Sequence, residues 1–172
     1  MSVVLIGYRG SGKTTIGKRL ASRLWQDFHD SDHRITKSAG ISIAEIFATR
    51  GEPHFRDLEA ATVSDLLKLD DVVIALGGGA ILRPETQALL KSSPHRRIYL
   101  RCEPDVLLQR LSADPDTAAS RPALTPAGTD SLEEINTVLT TREPIYRDVM
   151  TAELEVTHLT PEEAATYIVR LL

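Results

Sequence analysis

A chain of 172 residues with 42% hydrophobic and 26% charged residues has the size and balance of one globular domain, which excludes a disordered or fibrous chain. Twenty Lys and Arg against 24 Asp and Glu leave a formal charge of -4 without any basic cluster, so no nucleic-acid partner is expected. Cys102 is the only cysteine, which rules out an internal disulfide and argues against a cysteine-based metal site; with no bilayer-length apolar run and no signal-peptide pattern, the chain reads as soluble and cytoplasmic, with no membrane partner.

Val3–Ile6 is a short apolar run that reads as a buried strand. Residues 7–14 form a glycine-rich turn. After it Ile16, Leu20 and Leu24 recur at four-residue spacing while Lys18, Arg19 and Arg23 take the other face, the pattern of an amphipathic helix. A second strand is expected around Phe28, followed by Asp30 and Asp32 in a loop or as caps for a helix beginning near His33. Ser42 with Glu45 forms a capping box for a short helix ending near Gly51. Pro53 suits the first turn of the next helix, whose inner face carries Phe55, Leu58 and Leu66. Strands follow at 72–76 and 98–100, the former ending on the triplet Gly77-Gly78-Gly79. The stretch 112–130 holds three prolines, Gly128 and hardly any large apolar residue, and reads as a long loop of the kind that forms lids. Ser131 with Glu134 and Thr160 with Glu163 are further capping boxes. They open helices whose buried faces carry Leu132, Ile135 and Val138, then Ile168 and Leu172, with a kink or an interruption expected at Pro144 in the former. A last strand is read at 154–157. This alternation argues for one domain with a parallel sheet covered by helices on both faces. The histidines at 29, 33, 54, 95 and 158 show no metal-ligand spacing and read as structural or solvated.

The pattern G-x-x-x-x-G-K-[ST] is satisfied by Gly7, Tyr8, Arg9, Gly10, Ser11, Gly12, Lys13 and Thr14, between an apolar strand and an amphipathic helix. Glycines in such a loop let backbone N–H groups curl around a β-phosphate, and the helix N-terminus adds a favourable dipole. Lys13 then bridges the β- and γ-phosphates and the Thr14 hydroxyl ligates Mg²⁺. The nucleotide-binding set is Gly10, Ser11, Gly12, Lys13, Thr14 and Thr15; Tyr8 and Arg9 have no assigned role. The guanine-reading Asn-Lys-x-Asp motif and the Asp-x-x-Gly switch are both missing from the sequence, which favours ATP over GTP.

Asp30-Ser31-Asp32, Gly51-Glu52-Pro53-His54-Phe55-Arg56 and Gly77-Gly78-Gly79-Ala80, taken with the phosphate loop, resemble shikimate kinase. The likeness continues through Arg121-Pro122-Ala123-Leu124 and Arg142-Glu143-Pro144-Ile145-Tyr146-Arg147, in order and over nearly the whole chain. It implies an α/β P-loop three-layer sandwich of the nucleoside-monophosphate-kinase type, with a five-stranded parallel sheet, a substrate-binding segment at about 31–60 and a lid at about 112–128. It also implies ATP- and Mg²⁺-dependent phosphorylation of the 3-hydroxyl of shikimate. Asp32 is then expected to hold the acceptor hydroxyl and take its proton, and Arg56 and Arg142 to grip the carboxylate. Gly78 and Gly79 should offer backbone N–H groups, Asp30 should support Thr14 at Mg²⁺, and Arg121 should close over the phosphates. Lys13, Asp32 and Arg121 form the expected catalytic set, in a monomer whose partners are ATP and shikimate.

Two positions depart from the family pattern. Ala75 stands where the family commonly has Ser or Thr, and 156–161 lacks the arginine often found there, leaving Arg110 as the candidate to stack on adenine. As ordinary helix-surface chemistry, Arg56 also has Glu52 and Glu59 within reach. The competing readings are gluconate kinase or another small-molecule kinase of this fold, and a nucleotide-binding module without catalysis.

Overall fold

A computed structural model describes residues 1–114 and 131–172. Five strands, β1 (Val3–Ile6), β2 (Asp27–Asp30), β3 (Val72–Ala75), β4 (Arg96–Arg101) and β5 (Ala152–Glu155), pair in parallel in the order β2-β3-β1-β4-β5. Parallel neighbours need crossovers, which helices supply: α1 (Lys13–Leu24), α2 (Ser31–Ala39), α3 (Ile43–Leu66), α4 (Pro84–Ser92), α5 (Pro104–Ser112), α6 (Leu132–Val149) and α7 (Pro161–Leu171).

Successive residues of a strand face opposite sides, and β1 shows the consequence. Val3 and Leu5 enter a core with Ile16 and Leu20 of α1, Ile135 of α6 and Ile168 of α7. Val4 and Ile6 enter a second core with Val63 and Leu66 of α3, Leu90 of α4 and Tyr146 of α6. These are the three expected layers. A third, small cluster of Ile35, Ile46 and Phe55 holds α2 against α3 away from both.

Local signals account for most boundaries. Ser42 and Glu45, like Thr160 and Glu163, form complete capping boxes. Gly51 (φ 81°, ψ 164°) breaks α3 into two helices, and Pro53 opens the second, as its spacing requires. Ser131 caps α6 through its hydroxyl, which accepts from the Glu134 N–H, whereas the Glu134 carboxylate reaches Arg9 in the phosphate loop. His95 is structural. Its Nδ1 accepts from the Ser2 N–H at 3.2 Å, so the proton is on Nε2, 2.9 Å from the Leu67 carbonyl.

Three expectations need correction. The last strand lies at Ala152–Glu155, not 154–157, because pairing with β4 fixes the register from Ile98–Ala152 onward; Val156 and Thr157 are buried beyond the ladder. Leu132 and Leu172 are 38% and 36% exposed, since each sits at or beyond a helix end where the buried stripe runs out. And α6 continues as one helix through Pro144, so the interruption expected there does not occur.

Candidate active site

The donor side grows from the turn after β1. Gly10 (φ 79°) and Gly12 (φ 92°) adopt left-handed backbone that glycine alone takes without strain. A Cβ on Gly7 would stand 2.8 Å from the Leu100 carbonyl oxygen, so the loop lies directly on β4. Lys13 Nζ donates to the Gly7 and Tyr8 carbonyls, each at 2.8 Å, and so curls back over the loop it serves. The Thr14 hydroxyl donates to Asp30 Oδ2 at 2.7 Å. The other carboxylate oxygen of Asp30 accepts from the Asp32 and His33 N–H groups. Asp30 is therefore both the N-cap of α2 and the hydrogen-bond partner of Thr14.

These residues border a cleft of about 1310 Å³ lined by Gly10, Gly12, Lys13, Thr14, Thr15, Asp30 and Arg110 among others. Ser11 is the exception in the expected nucleotide set. Its side chain is buried, and its N–H donates to the Tyr8 carbonyl at 3.2 Å. Arg110 reaches the rim, but its Nη2 donates to the Val156 and Thr157 carbonyls, which holds it beside the stretch without the family arginine. Arg121 and most of the expected lid lie outside the described residues.

The acceptor side is a smaller cavity, about 520 Å³, bordered by Asp32, Arg56, Glu59, Gly77, Gly78, Gly79 and Arg142, with Phe47 and Phe55 in its wall. The two rings pack 4.9 Å apart across the Gly51 break. Arg142 is 8% exposed, not a surface charge, and donates to the Gly78 carbonyl at 3.1 Å. Tyr146 donates to the same oxygen at 2.7 Å. Burial pushes the Tyr146 phenol up to about 12, so it keeps its proton, and its role as donor, at any working pH. Arg56 sits between Glu52 (3.0 Å) and Glu59 (2.8 Å). The helix pairing available from the sequence thus forms inside the pocket that was expected to take a carboxylate.

Glu59 is 3% exposed, and burial pushes its carboxyl up to about 7 against the opposing pull of Arg56, with Asp32 adding to the rise. The sign for stability follows. The folded chain holds a proton there between the ordinary carboxyl range and pH 7 that the unfolded chain has released, so this group's contribution to stability falls as pH rises through that window. An anion bound at Arg56 raises the carboxyl further, so acceptor binding near pH 7 is expected to take up a proton. Calorimetric titration in two buffers of different ionisation enthalpy should give buffer-dependent heats in the native chain and buffer-independent heats in Glu59→Gln.

Close approach explains the glycine triplet. A Cβ on Gly77 would lie 2.4 Å from Asp32 Oδ1, and one on Gly79 would lie 2.5 Å from Arg56 Nη1. Gly77, Glu59 and Arg9 also border the smaller cavity, and Tyr146 braces Gly78, beyond the residues expected there. The triplet itself was the signal for Gly77, and the i, i+3 spacing from Arg56 was the signal for Glu59. The link between Arg9 and Glu134 spans 125 positions, and no local pattern announces it. Arg9, Asp32, Gly77 and Gly78 border both cavities, so the two spaces meet at one seam.

A phosphate-binding loop opening onto an arginine-lined pocket across a shared aspartate is the arrangement of a P-loop kinase that phosphorylates small molecules. A family model for shikimate kinase matches residues 9–172. The chain is 45% identical to the shikimate kinase of Nitrobacter winogradskyi over 157 residues, covering 90% of this chain and 70% of that one. It is 40% identical to the shikimate kinase of Rhodopirellula baltica over 96% of this chain and 87% of the relative. Among solved structures, shikimate kinase from Acinetobacter baumannii in complex with shikimate superposes with a TM-score of 0.90 at 32% identity, covering 99% and 91% of the two chains. A gluconokinase from Sinorhizobium meliloti, at 20% identity and a TM-score of 0.57, shares the fold alone. The chain belongs to the shikimate kinase family, whose enzymes phosphorylate shikimate with ATP.

Proposed function

We propose that the chain transfers the γ-phosphoryl group of ATP to the 3-hydroxyl of shikimate, with the nucleotide in the larger cleft and shikimate in the smaller one. The observation that carries this reading is the seam: Asp32 and the Gly77-Gly78 backbone border both spaces, so a hydroxyl held at Asp32 faces the end of a phosphate chain laid along the loop. Phosphoryl transfer asks a protein mainly for positioning and charge stabilisation. Arg142 and Arg56 supply guanidinium forks that match a carboxylate. Gly78 and Gly79 bring bare backbone against the ligand, and Asp32 orients the hydroxyl and accepts its proton. Lys13 moves from the loop carbonyls to the β- and γ-phosphates when nucleotide enters.

Thr14 and Asp30 are the residues that would hold Mg²⁺. A hydroxyl and a carboxylate oxygen 2.7 Å apart beside Lys13 are hard oxygen donors, and Mg²⁺ commonly needs only one or two protein carboxylates because it keeps waters and phosphate oxygens. The ion supplies charge neutralisation along the phosphates. Ala75 offers no hydroxyl nearby, which leaves the protein's share to these two side chains. Both substrate spaces are formed within one chain, and no helix among the described residues is long and apolar enough to cross a membrane; we read the enzyme as a cytoplasmic monomer.

A coupled assay of ADP release with ATP and Mg²⁺ tests the assignment against shikimate, quinate, gluconate and nucleoside monophosphates. Turnover is expected with shikimate, at a kcat/KM at least about a hundredfold above gluconate, which lacks the ring that fills a preformed pocket. Turnover with gluconate alone, or none with shikimate, would overturn it.

A further inference from the structure

The phosphate loop carries one buried charge, Arg9, that the transfer reaction as read above gives no role. Arg9 is 7% exposed and donates from Nη2 to Oε2 of Glu134 at 2.8 Å, and the Glu134 side chain has no exposed area. Glu134 stands in the first turn of α6, where the helix dipole favours a carboxylate. About two turns further along the same helix come Arg142 and then Tyr146, and both donate to the Gly78 carbonyl. Gly78 in turn lies against the loop, since a Cβ placed on it would be 3.3 Å from the Arg9 backbone nitrogen. Loop, helix and glycine run therefore form a closed circuit, and the Arg9–Glu134 pair is the link that ties the donor loop to the helix bearing Arg142.

A buried ion pair is a poor means of adding stability, because the cost of stripping two charges of water roughly cancels their attraction. Apolar residues of similar volume often serve as well or better. The pair does impose a geometric condition that apolar residues do not, since a charge-assisted hydrogen bond holds only at a narrow distance and angle. That condition falls between the two halves of a transfer reaction, where a misplacement of about 1 Å can lower the rate by about a hundredfold.

We propose that Arg9 and Glu134 are positioning residues that set the separation between the nucleotide and acceptor halves of the site. Most contacts of each half do not run through the pair: Lys13 and Thr14 open α1, Asp30 ends β2, and Arg56 and Glu59 sit on α3, so that only Arg142 shares α6 with Glu134. Loss of the pair leaves each ligand able to bind and leaves the two badly aligned. The inference rests on the shikimate kinase reading above.

The test compares the parent enzyme with R9M/E134L, which removes both charges and keeps the side-chain volume. Thermal unfolding, calorimetric Kd values for ADP and for shikimate titrated singly, and kcat at saturating ATP and shikimate are measured on each. The unfolding midpoint is expected to stay within about 5 °C of the parent. Each Kd should remain within about threefold while kcat falls by about tenfold to a hundredfold. Arg9→Lys, which keeps the charge and loses the planar fork, should fall between. A folded R9M/E134L at parental kcat would overturn the proposal, as would Kd values that worsen in step with kcat, the mark of a pair that only supports the fold. Should R9M/E134L fail to fold, Glu134→Gln, which keeps shape and an acceptor oxygen, carries the same comparison. Its kcat is then expected to drop at least about fivefold with both Kd values held, and a parental kcat overturns the idea. A parent without shikimate turnover fails the functional reading itself, a different result from a parent that turns over and a charge-free pair that keeps pace with it.

Discussion

Asp32→Asn is expected to lower kcat by about a hundredfold or more while the affinity for ADP stays within about twofold. The substitution is nearly isosteric, and the cap of α2 is untouched because the Asp32 backbone N–H, not its side chain, binds Asp30. What changes is the charge and proton affinity at the seam of the two cavities. An amide oxygen still accepts a hydrogen bond from the acceptor hydroxyl, so ground-state binding of shikimate survives in part, but an amide cannot take the proton. A loss confined to KM, with kcat within about threefold of the native enzyme, would show that Asp32 orients the hydroxyl without serving as base. The pH dependence of kcat distinguishes the same two cases, since the acidic limb that reports a base should vanish in the variant.

Gly79→Ala should raise the KM for shikimate by about tenfold to a hundredfold, equivalent to roughly 1.4–2.8 kcal/mol, and leave ADP binding and the unfolding midpoint close to native. The backbone at Gly79 (φ -100°, ψ -5°) is open to any residue, so the effect is not strain. The added methyl would stand 2.5 Å from Arg56 Nη1 and 3.1 Å from both Cζ and Nη2. A guanidinium held by Glu52 on one side and Glu59 on the other has little freedom to retreat without leaving those partners. The arginine is displaced from the acceptor pocket, and the carboxylate loses one fork of a charge-assisted grip. An unchanged KM would mean that Arg56 does not face the acceptor; an equal loss of ADP affinity would mean that the glycine run serves both ligands.

The Arg56–Glu59 pair shows how a local pattern and a distant site combine. On a surface helix the i, i+3 contact would be a minor ion pair. Packed against the glycine run, the same pair places a carboxyl that burial raises to about 7 beside Arg56, and an acceptor anion is expected to bind there with a dependence on pH.

The sequence by itself determined the phosphate loop and the secondary elements apart from α4, α5 and the bounds of the last strand. Those features depend on neighbours a few positions apart: the apolar run of β1, four-residue spacing in α1, Ser42 with Glu45, and Gly51 followed by Pro53. The glycine triplet was equally legible, because bare backbone after a strand has few uses besides close approach. Only the tertiary structure decided which side chains the glycines admit, that the two cavities meet at Asp32 and Gly77, that Arg142 is buried on the Gly78 carbonyl, and that the Glu134 carboxylate goes to Arg9. It also moved the last strand two positions toward the N-terminus, because its register depends on pairing with β4. The physical reason is separation along the chain: propensity and capping act over one or two turns, whereas Arg9 and Glu134 are 125 positions apart and meet only after β1, β4 and α6 have packed.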